Sequence, residues 1–336
     1  MNVHLAVPDL LWPDRDSRAA ADPGRFAALE MLLARGRRAS TPVGGFEQWL
    51  LAAWKTTGPA SHALVADGGV PGDGWWLRAD PCSLRLNRET VVPLDAAMFE
   101  LPRTEADALA GHLNRHLGER GLAFHPLQPE RWYLRAEAPL GEHAPPLAVA
   151  RGKAIGVHPG AGAEEARLHA LANEIQMLLH DHPVNEAREG RGEPPINAVW
   201  LWGGGRLERP TVRPFQRVRG QDPLAAGLAL GSGAAVLPLP EDAARWLRAS
   251  GNEGVELIVI DALRAPAAYG DEATWRERVA GLERDWFAPL ARALRQGRIG
   301  MVTLHAIGAA SALDVETTRQ DLRYFWRRLR PLASYA

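Results

Sequence analysis

Residues 180–205 read HDHPVNEAREGRGEPPINAVWLWGGG: a helix end, a polar loop, and an apolar run closed by three glycines. The run Ile196–Trp202 has the length and the β-branched and aromatic content of a buried strand. Ahead of it, Ala163–His180 carries apolar residues at helical spacing, with Leu168, Leu171, Ile175 and Leu178 as the buried stripe. Helix, loop and buried strand in that order are the repeating unit of an α/β fold.

The same texture extends outward. Val3–Leu11 reads as a buried first strand, Arg25–Arg37 and Phe46–Trp54 as helices, and His62–Gly69 as a strand ending in a glycine turn. Val255–Leu263 and Met301–Gly308 are buried strands, and Ala273–Gly297 is a long helix between them. Continuous apolar strands alternating with helices predict a mostly parallel sheet with helices on both faces. Residues 75–136 differ. Two short strands, the amphipathic helix Glu105–Gly121 and two further strands make a ββαββ module of α+β type. Residues 139–163, rich in Pro, Gly and Ala, read as a linker.

Bulk properties narrow the function classes. The 336 residues suffice for one large domain or two smaller ones. A net charge of -1 offers no global basic field, so nucleic acid is not an expected partner. The single cysteine, Cys82, excludes an internal disulfide and a cysteine-based zinc cluster. No apolar run approaches the ~18 residues of a membrane span, so no membrane partner is expected. The first residues carry acids and no basic n-region, so they do not read as a signal peptide, and a cytoplasmic location fits.

The polar residues admit two readings each. His180 and His182 could chelate a metal from a strand, but they follow a helix, where positions i and i+2 diverge; capping is the plainer role. Asn185, Arg188 and Asn197 suit an anion loop, with Arg188 as a forked donor, and equally suit turns that bond backbone groups. Gly203–Gly205 follows a strand, where phosphate loops sit, yet lacks both the G-x-G-x-x-G and the G-K-[ST] pattern. Asp261 ends a strand, His305 lies inside one, and Asp9 and Asp14 follow the first. They are weak metal candidates, because strand ends are where α/β enzymes place ligands, and serve equally well as buried polar caps.

Three ordered blocks carry a family resemblance: Trp75–Leu86 (WWLRADPCSLRL), Pro129–Ala136 (PERWYLRA), and Asn173–Gly205, which contains the opening stretch. Together they resemble the RpfE-type regulatory proteins, a bacterial group. That group is similar to the archaeal-type cofactor-independent phosphoglycerate mutases, sharing H-P-x-N-x-x-R-x-x-x-G-x-x-P-x-N and a glycine-rich turn. Here these are His182, Pro183, Asn185, Arg188, Gly192, Pro195, Asn197 and Gly203–Gly205. The resemblance implies an alkaline-phosphatase-like core, residues 1–77 and 181–336, interrupted by an inserted cap, residues 78–180.

Those mutases use two divalent metals and a phosphorylated Ser or Thr, and the chain departs from that pattern. VPDLLWPD lacks the Asp-Gly pair, Tyr269 stands near an expected His, and Leu304 replaces an Asp. Thr41 is a nominal nucleophile only. The expectation is therefore a non-catalytic relative with no cofactor and no metal, binding a small anionic metabolite or a protein partner in a regulatory role. His182, Asn185, Arg188, Asn197, Gly203 and Gly205 would be the ligand contacts. The alternative is an active phosphomutase or phosphoester hydrolase with one divalent metal on Asp9, Asp261 and His305. Homodimerisation stays open.

Overall fold

Val3, Leu5 and Val7 alternate with His4 and Ala6, and successive strand residues face opposite sides of a sheet. The computed structural model describes residues 1–12, 26–87, 90–140, 144–153, 163–249 and 254–335. Asp14 and much of the expected linker lie outside these residues. The chain begins with β1 (Asn2–Pro8), α1 (Ala27–Arg35), β2 (Arg37–Pro42) and α2 (Phe46–Trp54). It continues through α3 (Pro59–Ala66), β3 (Trp75–Asn87), β4 (Thr90–Leu94), α4 (Arg103–Leu117), β5 (Leu122–Gln128), β6 (Arg131–Ala136), α5 (Leu147–Ala150), α6 (Ala163–His180), α7 (Pro183–Gly190) and β7 (Ala198–Gly205). It ends with β8 (Arg217–Arg219), α8 (Pro223–Gly231), β9 (Ala235–Leu237), α9 (Ala243–Ala249), β10 (Val255–Val259), α10 (Arg264–Ala268), α11 (Glu272–Leu282), α12 (Ala288–Arg295), β11 (Met301–Ile307) and β12 (Ser311–Thr318).

Two compact units result: Met1–Lys55 with Pro210–Ala336, and Thr56–Arg209. In the first, seven strands lie in the order β2-β12-β11-β1-β10-β8-β9. The run from β11 to β9 is parallel, and β12 is antiparallel to both β11 and β2. Val3, Leu5 and Val7 bury against α1, α9, α11 and α12 on one face. Ala6, Leu257 and Val259 pack against α2 and α8 on the other. This is the expected largely parallel sheet flanked by helices.

The second unit is an antiparallel sheet, β4-β3-β6-β5, with β7 added alongside β3. Leu109, Leu113 and Leu117 of α4 and Leu171, Ile175 and Leu179 of α6 pack on one face, against Trp132 and Leu134 of β6. The ββαββ order is as read from the sequence.

Three expectations change. The boundaries move from 77/78 and 180/181 to 55/56 and 209/210, because β7 completes the antiparallel sheet through its pairing with β3. His62–Gly69 is not a strand. Gly58, left-handed at φ 66, and Pro59 at the first helical position start α3. Ala60, Ala63 and Leu64 then recur at helical spacing against Trp76 and Tyr133. Gly203–Gly205 is part of β7 rather than the turn after it.

Candidate functional site

The opening stretch folds wholly within the second unit. Pro183, which has no N–H to lose, starts α7, and His182 caps it: Nδ1 accepts the Val184 N–H at 3.2 Å. A capping imidazole must be neutral on that nitrogen. Burial, then the nearby Arg115, lowers the His182 pKa accordingly. His180 is exposed while His182 is buried, so the two do not form a metal pair.

Asn185 is 2% exposed. Its Nδ2 donates to the carbonyls of Leu179 (2.7 Å) and Ile196 (2.9 Å), and its Oδ1 accepts the Ile196 N–H at 2.7 Å. It thus staples the end of α6 to the approach to β7. Asn197 extends the β7–β3 ladder with its side chain, accepting from Leu84 N–H at 2.7 Å and donating to Leu84 carbonyl at 3.1 Å.

Arg188 is 0% exposed. Nε donates to Pro194 carbonyl (2.8 Å), and Nη1 donates to Glu100 carbonyl (3.0 Å) and Glu105 Oε2 (2.6 Å). The guanidinium lies 5.7 Å from the Phe99 ring centroid, and Nη2 has no hydrogen-bond partner. Gly203 has φ +67, and a Cβ there would lie 2.9 Å from Pro59 Cγ; one on Gly205 would lie 2.5 Å from Gly58 Cα. Ser61 Oγ donates to Gly205 carbonyl at 2.7 Å. The glycines let α3 approach β7. No helix follows them, so they do not form a phosphate-binding helix start. These polar atoms serve mostly the chain itself, contrary to a solvent-facing anion loop.

The carboxyl ends of the parallel strands form the other candidate, in the first unit. Asp9 follows β1 in a left-handed conformation, φ 58. Asp261 follows β10 and is exposed. His305 is not at a strand end. It sits inside β11, opposite Asp314 of β12 and Ala6 of β1. Its Nδ1 lies 2.6 Å from Asp314 Oδ1 and its Nε2 lies 2.9 Å from His4 Nδ1. Burial, followed by His305, pushes the His4 pKa down to about 4. Thr41 lies on the sheet-edge strand β2, three strands from β1 in the sheet order.

Sequence reasoning missed the residues that do meet here. Arg264, opening α10, gives Nη2 to Glu47 Oε1 of α2 at 2.6 Å. Its guanidinium lies 5.2 Å from the Phe46 ring centroid. Glu47 is buried, and its Oε2 has no hydrogen-bond partner. Asp222 caps α8 by accepting the Ala225 N–H at 2.8 Å. Burial pushes the Asp222 carboxyl up to about 6, against the pull of the Ala225 N–H and Arg264, while Glu47 and Asp261 push it further. No sequence signal links Arg264 and Glu47, which are 217 positions apart.

No protein-family model matches the chain. It is 29% identical over 157 residues to a 2,3-bisphosphoglycerate-independent phosphoglycerate mutase 2 of Methanothermobacter thermautotrophicus, covering 45% of this chain and 38% of that protein. The match thus spans well under half of that relative. A 2,3-bisphosphoglycerate-independent phosphoglycerate mutase of Methanosarcina acetivorans is 25% identical over 296 residues, covering 80% of this chain and 73% of that protein. Among solved structures, the PH0037 protein of Pyrococcus horikoshii has the same fold, with a TM-score of 0.59 at 12% identity over 99% of this chain and 92% of that one.

These relatives correct the expectation of no cofactor, since cofactor-independent phosphoglycerate mutases use divalent metal ions. The donors described here do not fit such ions. Among the described residues no three His, Cys, Asp or Glu side chains gather to hold one. Asp9, Asp261 and His305 do not form a set, because both ring nitrogens of His305 are engaged by Asp314 and His4. No helix of the described residues is long and apolar enough to cross a membrane. By sequence the chain is similar to the cofactor-independent phosphoglycerate mutases, and its largely parallel, helix-flanked sheet is of their alkaline-phosphatase-like type.

Proposed function

We propose that this chain is a relative of the cofactor-independent phosphoglycerate mutases that no longer transfers a phosphoryl group. It acts by binding a small anionic metabolite in a regulatory role, as the RpfE-type resemblance implies for a bacterial cytoplasmic protein. One observation carries this reading: at the carboxyl end of the parallel sheet, the Arg264 guanidinium is the cation that meets the buried Glu47 carboxylate. Two-metal phosphoryl transfer needs free carboxylate and imidazole donors around the ions. Here Glu47 Oε1 is held by Arg264, Asp222 Oδ1 by a backbone N–H, and His305 by its two neighbours.

In this proposal His182, Asn185, Arg188, Asn197, Gly203 and Gly205 are the scaffold of the second unit. Their hydrogen bonds to Val184, Leu179, Ile196, Pro194 and Leu84, and the close approach of Gly58 and Pro59, support that assignment.

The test is a phosphoglycerate mutase and phosphomonoesterase assay on the full chain, with magnesium, manganese, cobalt and zinc each supplied. We expect no turnover above the protein-free rate with any of them. Turnover with one metal that disappears in Asp261→Asn overturns the proposal in favour of a rebuilt site.

A further inference from the structure

The stretch Arg319–Arg330, RQDLRYFWRRLR, places five arginines and three consecutive aromatics in twelve residues of a chain whose net charge is -1. In the first unit, part of this stretch and the edge strand β2 line a cleft of about 640 Å³. Small-molecule and cofactor sites span roughly 300–1,000 Å³. Strand β2 contributes Arg37 and Arg38, the C-terminal segment contributes Arg327, Arg328 and Arg330, and among the described residues no acidic side chain lines the cleft.

The charges are largely uncompensated. Glu316, on the neighbouring strand, neutralises Arg37 at 2.6 Å. Arg327 donates Nη1 to the Arg35 carbonyl at 2.7 Å and lies over the Tyr324 ring, contacts that leave its charge in place. Arg38 lies over the Tyr335 ring, 5.7 Å from its centroid. Arg328 and Arg330 have no ion pair among the described residues. Guanidinium groups that outnumber the carboxylates around them repel one another, and an anion entering between them relieves that repulsion. Their planar forks match phosphate oxygens two at a time.

The wall of the cleft is as informative as its charge. Trp326 lines it and is 63% exposed, an unusual position for a side chain whose burial is favourable. Its ring meets those of Tyr324 and Phe325, with centroids 5.1 and 5.3 Å away, and its exposed remainder offers a surface on which a planar ring can stack. The Tyr335 hydroxyl is buried beneath the cleft and has no hydrogen-bond partner among the described residues, while its ring forms part of the cleft lining.

We propose that this cleft binds a nucleoside polyphosphate, with the phosphates held by Arg38, Arg328 and Arg330 and the base stacked on Trp326. The inference rests on the binding role proposed above and names its ligand class and place. It is read by binding rather than turnover, so mutase activity can appear while this site stands, and this site can fail while mutase activity stays absent.

Calorimetric titration of the full chain with ATP, inorganic triphosphate and adenosine tests it. ATP should bind with a micromolar to submillimolar Kd that weakens as salt is raised. The R328A/R330A variant should lose about tenfold or more in ATP affinity. Trp326→Ala should lose about fivefold for ATP and leave triphosphate unchanged. These side chains are exposed, and an unchanged thermal midpoint confirms that each variant is folded. Adenosine alone should not bind measurably. The inference is overturned by absence of ATP binding at millimolar concentration, or by ATP binding that R328A/R330A leaves intact. Triphosphate binding as tight as ATP, with Trp326→Ala silent, overturns the nucleoside assignment. A single-stranded oligonucleotide that binds while ATP does not overturns the small-ligand reading altogether.

Discussion

Replacing Arg188 with alanine separates an anion clamp from a structural brace. Its side chain is 1% exposed, and Nε and Nη1 serve Pro194, Glu100 and Glu105. Removing one partner of a buried, hydrogen-bonded ion pair costs about 3–5 kcal/mol. Glu105 keeps Arg191 at 2.8 Å, which compensates part of its charge. The lower end, about 3 kcal/mol, is therefore expected. At roughly 2–4 °C per kcal/mol for a unit of this size, the transition of the second unit should fall by about 6–12 °C. Tryptophan fluorescence during thermal and urea unfolding reads it, since Trp76, Trp132 and Trp202 are buried in that unit. Arg188→Lys should recover less than half, because one ammonium cannot reach the positions of both Nε and Nη1. A variant that melts within about 2 °C of the parent yet loses phosphate binding would refute the brace and restore Arg188 as a ligand contact.

Three further outcomes follow from local geometry. Gly205→Ala brings a Cβ to 2.5 Å from Gly58 Cα, and the forced backbone shift should cost about 1–3 kcal/mol in urea unfolding; an unchanged midpoint would show that α3 yields freely. His62 is fully buried and its pKa is pushed down to about 4, chiefly by burial. The unfolded chain therefore takes up this proton first on acidification. The stabilisation is complete above the unfolded value near 6.5, is lost as pH falls from there toward 4, and changes no further below. Its size is at most about 3 kcal/mol, and His62→Gln should flatten that part of the stability–pH curve; a curve parallel to the parent's refutes it. Asp222 has the opposite sign. Its folded pKa of about 6 lies above the ordinary 3.8, so stability is lost as pH rises through that interval. Asp222→Asn keeps the cap and removes the charge, so it should gain about 1–2 kcal/mol at neutral pH and nothing in acid; equal effects at both would refute the charge argument.

Strand and helix texture was legible wherever burial was periodic. Val3–Leu11, Val255–Leu263 and Met301–Gly308 contain three adjacent parallel strands, and the ββαββ order of the second unit is also as read. Local chemistry misled where one apolar run suits two states. HALVA reads equally as strand or helix, and Gly58 with Pro59 decides for the helix. The candidate site was less legible. Asn185 and Arg188 looked like ligand residues because amide and guanidinium groups serve backbone carbonyls and phosphates alike. Only their burial beside Leu179, Ile196 and Pro194 distinguishes the two.

The sequence by itself determined the α/β class, the separate character of the inserted module and the likeness to phosphoglycerate mutases. The first two follow from apolar periodicity and the third from the resemblance of ordered sequence blocks, all of which survive in one dimension. Tertiary structure alone decided which charges meet: Arg264 with Glu47, His305 with His4 and Asp314, and Arg37 and Arg38 with the C-terminal arginines in one cleft. The physical reason is that electrostatic and hydrogen-bond energies fall steeply with distance in space, and distance along the chain carries no measure of it.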